Sequence, residues 1–536
     1  MPMPGLEPTT WPGRFHPVKT SPYLKGLLRT AFLYGGIFHG AQALNATIHV
    51  PVEPSARSTS AVTAQPPLIT NAIPTGSQPS GTTQVTLTLT TSETATCRFS
   101  TTSGTSFAAM REQFTTTGGT THSTMITGLA NGGTYNFYLL AQSAANNSIS
   151  AEYAVGLSVA LPSGAITRRV GPGKTYSRPS LAAAAAQTGD IIEIDAGTYP
   201  DDATTWNAGN LTIRGVGGRA QLRWTTGQIS NGKAIWVIRG ASTTVENTEF
   251  SGAKVADQNG AGIRQEGAGL VLRNCYIHDN ENGILTDSGN WDILIENSEF
   301  ANNSFGDGYT HNLYIGNIRK FTFQHSYSHH AQVGHNLKSR AKENYILYNR
   351  IMDEATGTAS YAIDIPNGGT TYVIGNLIQQ GPANDNSGIM SYAAEGGSNP
   401  DQHLYVTSNT FVNDYGSGTH ISVSGTTPIF ARNNLFIGPG TLYSGPGSVN
   451  LITDNLATTA GLVDRTNYDY DLAANSTAIN RGSDPGSANG VSLLPVYQYV
   501  HPLSRETRPI NGSLDFGAYE YATIAPSNAV ITITVQ

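Results

Sequence analysis

Residues 270–300 read LVLRNCYIHDNENGILTDSGNWDILIENSEF. Two short strands, VLRNCYI and LIENSEF, each place an Asn two or three residues before a further apolar residue, and a different strand, GILTD, lies between them. The first unit returns along the chain as VENTEF, VLRNCYI, LIENSEF, FQHSYS, ILYNRI, VIGNLI, VTSNTF, ARNNLF and ITDNL. Its Asn stands at 247, 274, 297, 349, 376, 409, 434 and 455, with His325 in one place, a recurrence about every 26 residues. A repeat of that length is one winding of a solenoid, and windings stack at about 4.8 Å, the spacing of strands in any sheet. Equivalent Asn side chains then form a hydrogen-bonded ladder inside the turn.

The second strand recurs as GIRQE, GILTD, NLYIG, NLKSR, AIDIP, GIMSY and HISVS. With Ile263, Ile284, Leu313, Leu337, Ile363, Ile389 and Ile421 pointing inward, alternation sends Arg264, Leu285, Tyr314, Lys338, Asp364, Met390 and Ser422 outward. Two residues further on, Glu266, Asp287, Arg340 and Tyr392 flank that column. Tyr314, Lys338, Arg340, Asp364 and Tyr392 fall on four consecutive windings, about 15 Å along the axis. His311, Asn312, His335 and Asn336 enter the same strands, and Tyr361 enters the next.

Composition agrees with a mostly β chain. Of 536 residues, 59 are Gly, and only 12% are charged, against about 25% in an ordinary soluble protein. The net charge is −7, yet residues 311–350 gather Arg319, Lys320, Lys338, Arg340, Lys342 and Arg350 with five of the 13 histidines. So small a basic island in an acidic chain argues against a nucleic-acid partner. Cys97 and Cys275 are too few and too distant for a disulfide framework or a Cys-based zinc site, and are expected as buried small hydrophobes. The longest apolar run, AFLYGGIF at 31–38, is too short to span a bilayer. Following Lys19, Lys25 and Arg29, it fits either a secretory leader or an uncleaved anchoring arm such as a virion protein uses.

Four regions follow. Residues 1–66 form an arm ending in a Pro/Ser/Thr linker, 67–160 a small β-sandwich, 167–521 the solenoid, and 522–536 a terminal strand. In the second, GLANGGTYNFYLLA resembles the end of a fibronectin type III domain, with Tyr135 opening a core strand after a turn. RRVGPGKTYSRPSLAAAAAQTGDIIEIDAGTYP, from 168, resembles the N-terminal cap and first coil of a right-handed parallel β-helix of the pectate-lyase-like superfamily. SRETRPINGSLDFGAYEY at 504–521 resembles the closing coil of extracellular β-helix proteins, in which Arg508, Gly512, Asp515 and Glu520 recur. It is expected to cap the solenoid. Phage tailspikes of this architecture are trimers, which makes a homo-oligomer or virion assembly one expectation.

A basic, aromatic groove on such a solenoid suits an acidic polysaccharide. The natural reaction is β-elimination on a uronate, in which the carboxylate is neutralised, the C5 proton removed and the leaving oxygen protonated. LKSRAKENYIL resembles the Lys-Ser and Asn-x-Ile of the alginate lyase and chondroitinase B family, and the resemblance implies Lys338 as base. That family has an Arg one coil later as acid and two calcium-binding Glu before the Lys. Here Asp364 and His335-Asn336 stand at those places, so calcium stays an open expectation and the acid is sought among His311, Tyr314 and His335. Arg340 is the neighbouring cation, and Asn312, Asn336, Tyr361, Asp364, Tyr392 and Arg264 are substrate-binding candidates.

Plainer readings stand beside these. Lys338 and Asp364 can be a surface ion pair, and His325, His329 and His330 suit turn or ladder roles. His311 and His335 can stack or bind a metal. A hydrolase would need two carboxylates, which Glu266 and Asp287 could supply. A non-catalytic glycan binder on a secreted or virion surface is the third alternative.

Overall fold

The computed structural model describes residues 65–521, except 428, 447, 448, 451–455, 459, 460 and 510. The leader or anchoring arm, the terminal strand and Asn455 therefore lie outside the described residues. Among the described residues no helix is long and apolar enough to cross a membrane.

The sandwich comes first. A three-stranded antiparallel sheet (Ile69–Ile73, Gln84–Thr91, Thr121–Thr127) faces a five-stranded one built round Thr134–Ser143. Alternating residues of both sheets, among them Leu87, Leu89, Cys97, Phe99, Leu139 and Val155, share one core. The Tyr135 hydroxyl accepts a hydrogen bond from the Ala130 N–H at 2.8 Å.

The solenoid begins under a short helix, Pro179–Ala185, whose Ala182 and Ala183 pack on Val170, Ile192 and Ile194 and close the first core layer. Pro at its N-terminus needs no N–H there, and Ala allows close approach. Each later coil adds one strand to a ten-stranded parallel sheet, here called the front sheet, and two to the other walls. In the front sheet Ile263 pairs with Ile284 and Leu337 with Ile363, all fully buried, so the repeat sets the register.

Three expectations change. First, Ile389 is in the core as expected, but Met390 joins it there: Met390 pairs with Ile363 and Ile421, while Ser391 pairs with Asp364. Met390 and Tyr392 therefore join the core, and Tyr392 donates its hydroxyl proton to the Gly369 carbonyl at 2.7 Å. GIMSY offers two adjacent apolar residues, and pairing through the second moves every later residue of the strand to the other face.

Second, the Asn of the repeat occupies two neighbouring columns. Asn247, Asn274, Asn297 and His325 sit at the corner with φ of 49° to 55°, a conformation Asn tolerates. Asn349, Asn376, Asn409 and Asn434 stand one residue later and form the internal ladder, amide to amide at 2.9–3.0 Å. Ser326 and Ser298 extend that ladder through their hydroxyls.

Third, residues 504–521 do not close the solenoid's end. From Leu462 the described strands pair only among themselves, and the segment runs back along the flank. Gly517 donates to the Asn433 carbonyl, Asn297 to the Leu503 carbonyl, and Thr507 to the Arg111 carbonyl on the sandwich. Arg508 and Glu520 form a buried pair at 2.8 Å, with further Arg508 hydrogens on the carbonyls of Asp515, Gly517 and Ala518. Gly512, at φ +104°, leaves room that a Cβ would take from Asn480 Oδ1, 2.6 Å away.

Candidate active site on the front sheet

Strand alternation brings Tyr314, Lys338 and Asp364 side by side on the outer face of the front sheet, with Arg340 at the exit of the Lys338 strand. Lys338 Nζ lies 3.4 Å from Asp364 Oδ2 and 3.3 Å from Glu395 Oε1. Arg340 reaches Glu395 Oε2 at 2.8 Å, donates from Nε to the Tyr314 hydroxyl oxygen at 2.8 Å, and donates from Nη1 to Asn367 Oδ1 at 2.6 Å. The Tyr314 oxygen thus accepts from a guanidinium, which leaves its own hydrogen free to be given elsewhere.

Behind this group the imidazole of His311 stacks on that of His335 at 4.5 Å and on Tyr314 at 5.6 Å. His311 Nδ1 accepts the His335 N–H at 2.9 Å, and His335 Nδ1 accepts the Tyr361 N–H at 3.3 Å. Each ring therefore carries its hydrogen on Nε2. Burial, then the nearby Lys338, pushes His335 down to about 3, and burial with His335, Lys338 and Arg340 pushes His311 well below its ordinary value. Both shifts favour the neutral ring. His335 Nε2 lies 3.5 Å from Asp364 Oδ2, and of the three acid candidates Tyr314 is the one in contact with both Arg340 and Lys338.

The two carboxylates differ. Burial lifts Asp364 above the usual carboxylate range against the pull of Lys338 and Ser391. Burial acts on Glu395 in the same direction, but the Arg340 hydrogen bond and the Lys338 charge outweigh it and hold Glu395 below that range.

Other candidates lie elsewhere. Asn312 and Asn336 are fully buried in a second ladder, with Asn312 Nδ2 on Asn336 Oδ1 at 3.1 Å and Asn336 Nδ2 on Asp353 Oδ1 at 3.0 Å. They are solenoid scaffold and do not line the groove. Tyr392 is in the core, as described above. The ring of Tyr361 lies 5.3 Å from that of His335. Arg264 pairs with Asp287 at 3.6 Å, three strands from Lys338. Glu266 is held by Lys233 and Arg239, whose charges win over burial and lower it, so Glu266 and Asp287 are each matched to a cation.

The rest of the basic island disperses: Arg319 and Lys320 pair with Asp292, and Arg350 packs over Tyr327 on another wall. His325 is buried against Tyr348, and His325 and His330 occupy positive-φ corners. Among the described residues no group of three His, Cys, Asp or Glu side chains converges to hold a metal ion. The donors at the expected calcium position are His335 and the ladder residue Asn336. Sequence reading missed Glu395 and Asn367. Glu395 comes from AAEGG, a turn after the strand, where no repeat position marks it.

Residues 201–378 match the family model described as a right handed beta helix region. Among solved structures, the pectin methylesterase of Aspergillus niger is similar at 15% identity over 57% of this chain and 94% of that one, with a TM-score of 0.22. The family 28 exopolygalacturonase of Yersinia enterocolitica is similar at 10% identity over 70% and 97%, with a TM-score of 0.24. A search of curated proteins returned no match.

Proposed function

We propose that the protein is a polysaccharide-processing enzyme acting outside the cell, secreted or virion-borne, and that it cleaves an acidic, uronate-containing polymer by β-elimination. The observation that carries this is the triad of Lys338, Arg340 and Tyr314, with both cations at the phenol: Arg340 donates to its hydroxyl, and Lys338 Nζ is 5.9 Å from its ring centre. Arg340 holds the uronate carboxylate and offsets the charge that grows on it. Lys338, once clear of Glu395, passes its ammonium proton to Asp364 Oδ2, 3.4 Å away, and as the free amine takes the C5 proton. The electron pair forms the C4–C5 double bond, the C4–O bond breaks, and the leaving oxygen takes the Tyr314 proton. The loop entering the Tyr314 strand lifts Phe305 and Tyr309 into solvent, 46% and 83% exposed, and apolar faces of that kind stack on sugar rings. The two enzymes with similar folds are named for pectin and polygalacturonate substrates, which agrees with a uronate reading without adding weight to it.

A second reading rests on one specific observation. Asp364 and Glu395 meet on one ammonium with their proton affinities pushed in opposite directions, the arrangement of an acid and a base in a glycoside hydrolase. A panel of uronate and neutral polysaccharides separates the two. Elimination yields new reducing ends together with the ultraviolet absorbance of an unsaturated uronate, and Tyr314→Phe lowers that rate by about 10²-fold or more. Reducing ends that form without the absorbance would instead favour hydrolysis.

A further inference from the structure

Glu395 is unusual among the charged groups of the site. Its two oxygens bridge two cations, Oε2 on Arg340 at 2.8 Å and Oε1 on Lys338 at 3.3 Å, yet its side chain is 48% exposed. Asp364, the other partner of Lys338, is 6% exposed. A carboxylate spread across an Arg and a Lys in this way is chemically what a uronate would present to them. Glu395 also sits on a turn rather than a strand. Gly396 and Gly397 follow it with φ of +96° and +55°, and Ala393 precedes it at +60°. The turn also lines a cavity of about 510 Å³, together with Gln402 and Thr426. The half-exposed side chain is thus held by its two ion pairs and not by packing in the core.

We infer that Arg340 and Lys338 form a carboxylate-binding subsite, and that Glu395 is its built-in occupant, which an incoming ligand carboxylate must displace. This rests on the polyuronate reading for the ligand's identity, but not for the subsite. While Glu395 is in place, the cluster of Lys338, Arg340, Asp364 and Glu395 is charge-matched, and a neutral sugar gains nothing from it. Displacement frees Lys338 of one of its two acidic partners at the moment a uronate arrives. The resting protein thus excludes weakly held anions, and an extended acidic chain, with further contacts along the coils, outcompetes a single side chain.

The test uses the full chain, with galacturonate and its uncharged methyl ester as probes, read by calorimetry or by ligand-detected NMR. Glu395→Gln keeps the shape and removes the charge. Galacturonate should then bind about fivefold more tightly or better, the ester should be unaffected, and the gain should shrink as salt rises. Glu395→Ala should give the same ordering, and an unchanged melting temperature in both variants excludes misfolding. Equal or weaker galacturonate binding in both variants, or no binding in any form, overturns the inference. Polymer elimination is scored separately. A gain in galacturonate binding without elimination removes the lyase assignment and leaves the subsite, whereas elimination without the gain does the reverse.

Discussion

Two arginine–glutamate pairs on different walls of the protein share their chemistry and differ in almost everything else. On the flank, Arg508 and Glu520 are 0% and 1% exposed, and Arg508 is further satisfied by backbone carbonyls of its own segment. On the front sheet, Arg340 and Glu395 are 22% and 48% exposed, and Arg340 is shared with Tyr314 and Asn367. The first pair has no room for a ligand and locks a fold-back segment. The second has a partner that can be exchanged. Replaceability, rather than charge, separates a site from a staple here.

The largest effect should come from breaking the staple. Glu520→Ala leaves a buried guanidinium without its carboxylate and is expected to cost about 3–5 kcal/mol of stability by denaturant titration. Arg340→Ala should barely move the midpoint, while lowering elimination by about 10²–10³-fold. If both variants lose stability equally, the contrast between the two pairs fails.

A smaller effect belongs to Asp353. Fully buried at the end of the second ladder, it accepts from Asn336, Asn384 and the His330 N–H, and burial still lifts it to about 6. A carboxyl raised in the folded state binds its proton more tightly there than in the unfolded chain. Stability should therefore fall as pH rises from the unfolded value near 4 through about 6, by about 2–3 kcal/mol in total. Asp353→Asn should remove that slope and raise stability at pH 7.5. Asn384 Oδ1 has no hydrogen-bond partner and is free to receive the new amide after a flip. A slope that persists in Asp353→Asn would assign it to another group.

The smallest effect should come from Tyr392→Phe. Loss of the hydrogen bond to the Gly369 carbonyl is expected to cost about 1 kcal/mol, with no change in polysaccharide binding. A loss of binding at full stability would return Tyr392 to the groove.

The period of about 26 residues was enough to read the solenoid, because every winding repeats the same burial problem. The same period put Tyr314, Lys338 and Asp364 on one face, since Leu337 and Ile363 are unambiguous anchors. GIMSY was not legible: Ile389 and Met390 are adjacent apolar residues and both lie in the core, so the pattern does not say which of them pairs with Ile363. The two Asn columns differ by one residue, a shift invisible in strings that look alike. Asn312 and Asn336 were misplaced for a related reason, since a polar residue at a strand entry reads as exposed until its ladder partners are known. Glu395 and the flank segment depend on contacts across many residues, 57 between Lys338 and Glu395, and no local pattern encodes them.

The decisive measurement is simultaneous recording of unsaturated-uronate absorbance and reducing ends during digestion of a polyuronate by the wild type and by Lys338→Ala. Both signals should rise together with the wild type and stay flat with Lys338→Ala. Reducing ends without absorbance, or an undiminished rate in Lys338→Ala, would contradict elimination at this site.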